Sequence, residues 1–277
     1  MRLVLPAFDN VQLVRTVVAE RASGVNAAYF VSIVNEWVTR TEAYLANRGQ
    51  PHQIPRWPTI QPRSNTFLNL YLTPAAGSAQ GRALDALRDH DLTICPACGE
   101  PGRPNTLDHY LPKSDYPHFC ITPANLLPMC DACQLAKDVK IGDAATPRFF
   151  IHPYFDTFVA EQVFQLIIKR PFHAPSIELI PVDGLGADES TLVRTHLREL
   201  EIGTRYAKYF RVQYRRLLRL VSKMRLSKQP VQGTLETFKH GAGDESLNSW
   251  DHVLYAAALE NADLLDYLTN EPLPDYL

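Results

Sequence analysis

Two Cys-x-x-Cys pairs, Cys95-Pro-Ala-Cys98 and Cys130-Asp-Ala-Cys133, carry the most specific chemistry in the sequence. Each pair can hold one side of a tetrahedral ion. Together they complete a closed shell of four thiolates, which suits structural zinc because no position is left for water. All five cysteines lie between residues 95 and 133. Such clustering points to metal rather than to a disulfide framework. A redox role for each pair is the competing reading, but two pairs in one chain fit a shared ion better. Cys120, the fifth, is expected to be a buried free thiol.

The stretch between and just beyond the pairs is longer than a zinc ribbon needs. It contains Leu107-Asp108-His109-Tyr110-Leu111-Pro112-Lys113-Ser114, then Asn125-Leu126-Leu127-Pro128-Met129, then Gln134-Leu135-Ala136-Lys137-Asp138. Hydrolysis of a phosphodiester needs an activated water, neutralisation of charge at the phosphate and help for the departing oxygen. A neutral histidine can take the proton from water near neutral pH, and a hard divalent ion can stabilise the developing charge. Asp108 and His109 are neighbours on an expected strand, so their side chains should point to opposite faces. They can serve one site only if the strand bends or the ion sits at its edge.

Residues 95–138 resemble the HNH endonuclease family, whose ββα-metal core is often clasped by Cys-x-x-Cys pairs. The resemblance covers about a sixth of the chain. It implies His109 as general base, Asp108 as ligand of a catalytic Mg²⁺ or Mn²⁺, and Asn125 as the residue that orients the loop around the histidine. The family's third position, usually His or Asn directly after the second pair, falls on Gln134. A glutamine carbonyl can ligate a hard ion, but its extra methylene moves the oxygen and adds a rotamer. Lys113 and Lys137 are the implied phosphate contacts. By the same resemblance the substrate is DNA, cut to leave 5′-phosphate and 3′-hydroxyl ends, and the setting is phage defence or restriction. An ATPase partner and a homodimer are further expectations by analogy. The rival reading is a catalytically silent protein that uses this zinc-bearing scaffold to bind nucleic acid or a protein partner.

The elements that must position these residues point to an α+β class, mainly helical, with a small ββα core and a β-hairpin after it. We divide the chain into a helical region 1–90, the core 91–156 and a C-terminal region 157–277. Apolar periodicity predicts one helix through Val11, Val14, Val17 and Val18 and a second from Phe30 to Tyr44 and Leu45, with a third over Gln80–His90. Prolines 51, 55, 58 and 62 suggest an extended connector. Residues 164–169 and 177–182 read as strands joined by a hairpin loop, and 188–201, 204–226 and 250–268 as helices. His118 is expected to pack structurally, and His152 to open a rigid exit loop against the core. Asp251-His252 reads as a solvated helix start.

Charge is nearly balanced, 28 Lys+Arg against 30 Asp+Glu, so overall charge does not draw the chain to nucleic acid or membrane. Its distribution is uneven. Residues 205–228 hold nine Lys/Arg and no acid, and Arg211, Arg215 and Arg219 recur one helical turn apart as candidate nucleic-acid contacts. Residues 240–277 hold eight Asp/Glu and no Lys or Arg, and are expected to form a helical cap. No apolar run reaches the ~18 residues of a membrane span, and no secretory leader is evident, so a cytoplasmic protein is the expectation.

Overall fold

The computed structural model describes residues 1–274, which fall into two compact units. One comprises Leu3–Thr93 with Arg103–Asp156. The other comprises Met1–Arg2, Ile94–Gly102 and the chain from Thr157 onward. The architecture is α+β and mainly helical, with ten α-helices and two small antiparallel sheets among the described residues.

In the first unit, α1 (Asn10–Glu20) starts where the Asp9 carboxylate accepts from the amides of Val11 and Gln12. Val14 and Val17 of α1 pack with Phe30 and Trp37 of α2 (Ala27–Ala46) and with Phe67 of α3 (Ser64–Leu72). Trp37 meets Phe67 edge-on at 5.0 Å, and its indole donates to the His118 carbonyl at 2.7 Å. The proline-rich connector is not extended. Pro51–Gln53 and Pro58–Arg63 form 3-10 turns that lead into α3. Proline's fixed φ fits a 3-10 turn as well as an extended chain, and at a first helical position its missing N–H costs nothing. α4 (Ala79–Arg88) is capped by Ser78, whose hydroxyl accepts from Gly81.

The segment that resembles a ββα core follows as β1 (Thr106–His109), β2 (Leu126–Met129) and α5 (Asp131–Lys137). The two strands pair antiparallel, with Asp108 opposite Leu127 and His109 opposite Leu126. Strand, strand and short helix thus follow one another in ββα order.

In the second unit, β3 (Phe164–Lys169) and β4 (Ser176–Pro181) form the expected hairpin, in register from Phe164 opposite Pro181 to Lys169 opposite Ser176. Phe164, Leu166 and Ile168 alternate inward, as a half-buried strand requires. Helices α6 (Ala187–Glu199), α7 (Ile202–Leu226), α8 (Val231–Gly243), α9 (Trp250–Glu260) and α10 (Ala262–Asn270) complete this unit. α8 was not anticipated. The single helix expected over 250–268 is two, because Asn261 ends α9 and its side chain accepts from Leu264 N at 3.0 Å to cap α10. The Asp251-His252 start is not solvated: His252 is buried, its Nδ1 lies 2.9 Å from the Lys239 carbonyl, and Asp251 accepts from the Tyr209 hydroxyl. Of the acidic segment 240–277, the last three residues lie outside the described ones.

No helix among the described residues is long and apolar enough to cross a membrane.

Candidate metal centre and catalytic cleft

The thiols of Cys95, Cys98, Cys130 and Cys133 all lie within 4.8 Å of one another. Thiolates bound to one tetrahedral zinc sit about 3.8 Å apart, so the four residues fit such an ion and could hold one. The turn carrying the first pair is closed by a bridge between Ile94 and Pro101. Trp250 supports it, with its indole donating to the Cys98 carbonyl at 2.6 Å and its amide to Gly99 O at 3.0 Å. Arg205 places a guanidinium nitrogen 3.6 Å from Cys98 Sγ and pairs with Glu100. A cation there offsets thiolate charge, the kind of outer contact that tunes metal sites. Cys130 stands at the N-cap of α5 and Cys133 within it. Cys120 lies elsewhere, buried, with its thiol donating to the Phe67 carbonyl at 3.0 Å. Burial pushes that thiol up beyond the usual range.

Asp108, His109, Lys113 and Gln134 line one cleft of about 600 Å³, together with Ser114 and Asp138. The alternation expected of neighbouring strand residues is therefore resolved at a strand end. His109 is the last residue of β1, and its Nε2 lies 3.0 Å from the Cys120 carbonyl. A carbonyl can only accept, so Nε2 carries the proton and the neutral ring leaves Nδ1 as the bare lone pair. The edge-on ring of Tyr71 at 4.5 Å packs against the imidazole, and the Tyr71 hydroxyl donates to Leu107 O at 2.8 Å. Burial, then Lys113 and Lys137, outweigh the Cys120 carbonyl and push the imidazole down to about 3.

Asn125 is fully buried and holds the loop that follows β1. Its Oδ1 accepts from Leu111 N at 2.8 Å, and its Nδ2 donates to the carbonyls of Leu111 and Phe119 at 3.1 and 3.3 Å. Lys137 is only 1% exposed. Its ammonium lies 3.0 Å from Asp108 Oδ2 and donates to the His109 carbonyl at 2.7 Å. It is thus turned inward onto the two acid–base candidates, and of the two expected phosphate lysines Lys113 alone lines the cleft. Asp108 Oδ2 is buried beside that ammonium, which balances its charge.

Asp138 and Ser114 were not singled out from sequence. Asp138 follows α5 with φ +45°, which directs the chain back along the cleft rim. Nothing in the Lys-Asp-Val-Lys sequence signals that turn. His118 and His152 are structural. His118 packs edge-on to Trp57 at 5.3 Å, and His152 Nε2 lies 3.1 Å from the Tyr44 hydroxyl. Tyr44 in turn donates to Ala124 O. Asp156 closes the exit loop by accepting from His152 N at 2.6 Å and pairing with Arg148.

Arg211, Arg215 and Arg219 lie exposed on α7, away from any carboxylate partner among the described residues, and line a second cleft with the β3–β4 loop. The described residues of the acidic segment leave them exposed. Its α10 end is instead held by Arg225, which donates to the carbonyls of Tyr267, Leu268 and Glu271.

Comparison with known proteins finds no family model and no solved structure that matches. A 62-residue stretch is 37% identical to protein Ea31 of Escherichia phage lambda, covering 22% of this chain. The chain spans about a fifth of that protein's length.

Proposed function

We propose that this protein is a metal-dependent endonuclease of HNH type that hydrolyses phosphodiester bonds in DNA, with zinc in the four-thiol site as a structural ion. The observation that carries the reading is one cleft lined by Asp108 and His109 from the end of β1 and by Gln134 from α5, in ββα order beside two Cys-x-x-Cys pairs. The partial likeness to a phage protein is compatible with a role in phage biology or defence, and goes no further.

His109 accepts the proton of the attacking water at Nδ1, because the Cys120 carbonyl keeps the proton on Nε2. Asn125 fixes the loop that carries this geometry. Lys113 offers positive charge to a phosphate at the cleft wall. A Mg²⁺ or Mn²⁺ held by Asp108 and Gln134 would supply charge stabilisation at the phosphoryl and departing oxygens. Lys137 holds Asp108 in place from behind.

Incubation with supercoiled plasmid and Mn²⁺, with and without EDTA, tests the reading. His109→Ala is expected to abolish EDTA-sensitive nicking while zinc content and circular dichroism stay unchanged. Equal nicking by that variant overturns the assignment.

A silent binding protein is favoured by one observation, the ion pair that already neutralises Asp108, together with the longer Gln134 side chain. On that reading the parent protein is inactive, and Gln134→Asn gains nicking activity.

A further inference from the structure

The second cleft, of about 600 Å³, lies between α7 and the β3–β4 loop. One wall carries Arg211, Arg215 and Arg219, and the other His173 to Pro175. We propose that this cleft is a track for the sugar–phosphate backbone of a single nucleic-acid strand, bound without regard to base sequence. The choice of nucleic acid among polyanions rests on the nuclease reading. The cleft's anion-binding character rests on its own residues.

Three features of the geometry support a single strand. Arginines four residues apart on a helix step by about 6 Å along its axis, close to the separation of successive phosphates on an extended strand. The guanidinium groups of Arg215 and Arg219 have no protein partner among the described residues, and Arg211 spends only Nε, on the Ala207 carbonyl at 3.2 Å. Their planar forks are therefore available to phosphate oxygens. Finally, the arginine row faces a second wall, His173 to Pro175 of the β3–β4 loop, so the cleft is bounded on two sides, which suits one strand better than a duplex.

The floor explains the indifference to sequence. Phe210 and Tyr214 stack on each other at 5.0 Å and are buried, and the Tyr214 hydroxyl is engaged with Phe172 O at 2.8 Å. Neither ring is presented to a base, so the stacking that favours particular bases is absent. Affinity should come from counterion release and weaken steeply with salt.

The test measures anisotropy of labelled oligothymidylate, oligoadenylate and duplex of about 15 nucleotides, without added divalent ions, between about 50 and 200 mM salt. His109→Ala serves as the parent, so the outcome does not depend on cutting. The two single strands should bind alike and more tightly than duplex. Arg211→Gln/Arg215→Gln/Arg219→Gln should weaken binding about tenfold or more and flatten the log–log salt slope by about 2, from ~0.7 per lost contact. A matched triple on the same helix outside the cleft, Lys208→Gln/Arg216→Gln/Lys223→Gln, should change the slope far less. Arg215→Gln alone, exposed in mid-helix, should give about a third of the slope change and covers misfolding of the triple. Equal losses in the two triples, unchanged binding by the cleft triple, preference for duplex, or no binding by the parent would each overturn the proposal. A failure of the nuclease reading appears separately, as absent nicking with binding intact.

Discussion

Lys137 shows how one side chain can be misjudged from its position in sequence. Its ammonium is buried against Asp108 and the His109 carbonyl. Lys137→Met leaves the buried Asp108 carboxylate without its counter-charge and should destabilise the protein by about 3–5 kcal/mol in urea titration. The double variant Asp108→Asn/Lys137→Met should recover part of that loss, a coupling that a solvent-facing lysine would not give. Gly99 is a second residue with little freedom. At φ +76° it has room for no side chain, since an added Cβ would lie 1.9 Å from the Asn248 carbonyl oxygen. Gly99→Ala should therefore disturb the turn that carries Cys95 and Cys98, read as reduced bound zinc by elemental analysis. The clustering of the two cysteine pairs was legible because four-thiolate ligation fixes both residue type and spacing, whereas Asp108, His109, Asn125 and Gln134 were singled out through the resemblance of residues 95–138. Lys137's burial was not legible, because a seven-residue helix has too few positions to reveal which face is covered. Asp138 was hidden for a related reason: its place on the cleft rim depends on a positive φ that Asp tolerates without requiring.

Among the elements, the turn Pro117–Phe119 locks α2 through the His118 carbonyl, which accepts from Trp37. The imidazole of His118 is itself buried with no hydrogen-bond partner at either nitrogen among the described residues. Burial, with Arg40 adding to it, pushes it down to about 3 from 6.5. The unfolded chain therefore binds the extra proton first as pH falls. The stability associated with this neutral ring is fully present above about pH 6.5 and is lost progressively toward pH 3. His118→Phe should show a shallower fall in urea midpoint between those limits, with the parent measured alongside to account for carboxylate titration. α1, α2 and β3 were readable from apolar period alone. α3 was concealed by the proline cluster ahead of it, and α8 by Gly233, Gly241 and Gly243, which lower helix propensity while only Val231 and Leu235 are buried. In both cases packing against neighbours stabilises an element that local sequence disfavours.

For the molecule as a whole, the two units are interleaved in sequence. Ile94–Gly102 belongs with the C-terminal helices although the chain on both sides of it belongs to the other unit. Linear boundaries near residues 90 and 156 could not express this, because a nine-residue excursion leaves no mark in composition. A fragment ending at residue 156 keeps all four clustered cysteines but removes Trp250, Arg205 and His196, whose side chains hold the carbonyls or thiol of residues 97–98. It should retain substantially less zinc than the full chain after dialysis. Cys130→Ser in the full chain should likewise lose the ion, since three thiolates leave the shell open.

The support that Trp250 gives to the Cys98 carbonyl and Gly99 has a bearing on biosynthesis. A ribosome releases the first thiol pair some 150 residues before the indole that braces it, so a growing polypeptide exposes reactive sulfur for much of its translation. A zinc ion held by the four thiols should therefore bind better once α9 is complete: chains arrested before that helix emerges should take up less ⁶⁵Zn than chains arrested after it. Truncated translation products would thus leave the ribosome with the first thiol pair unbraced.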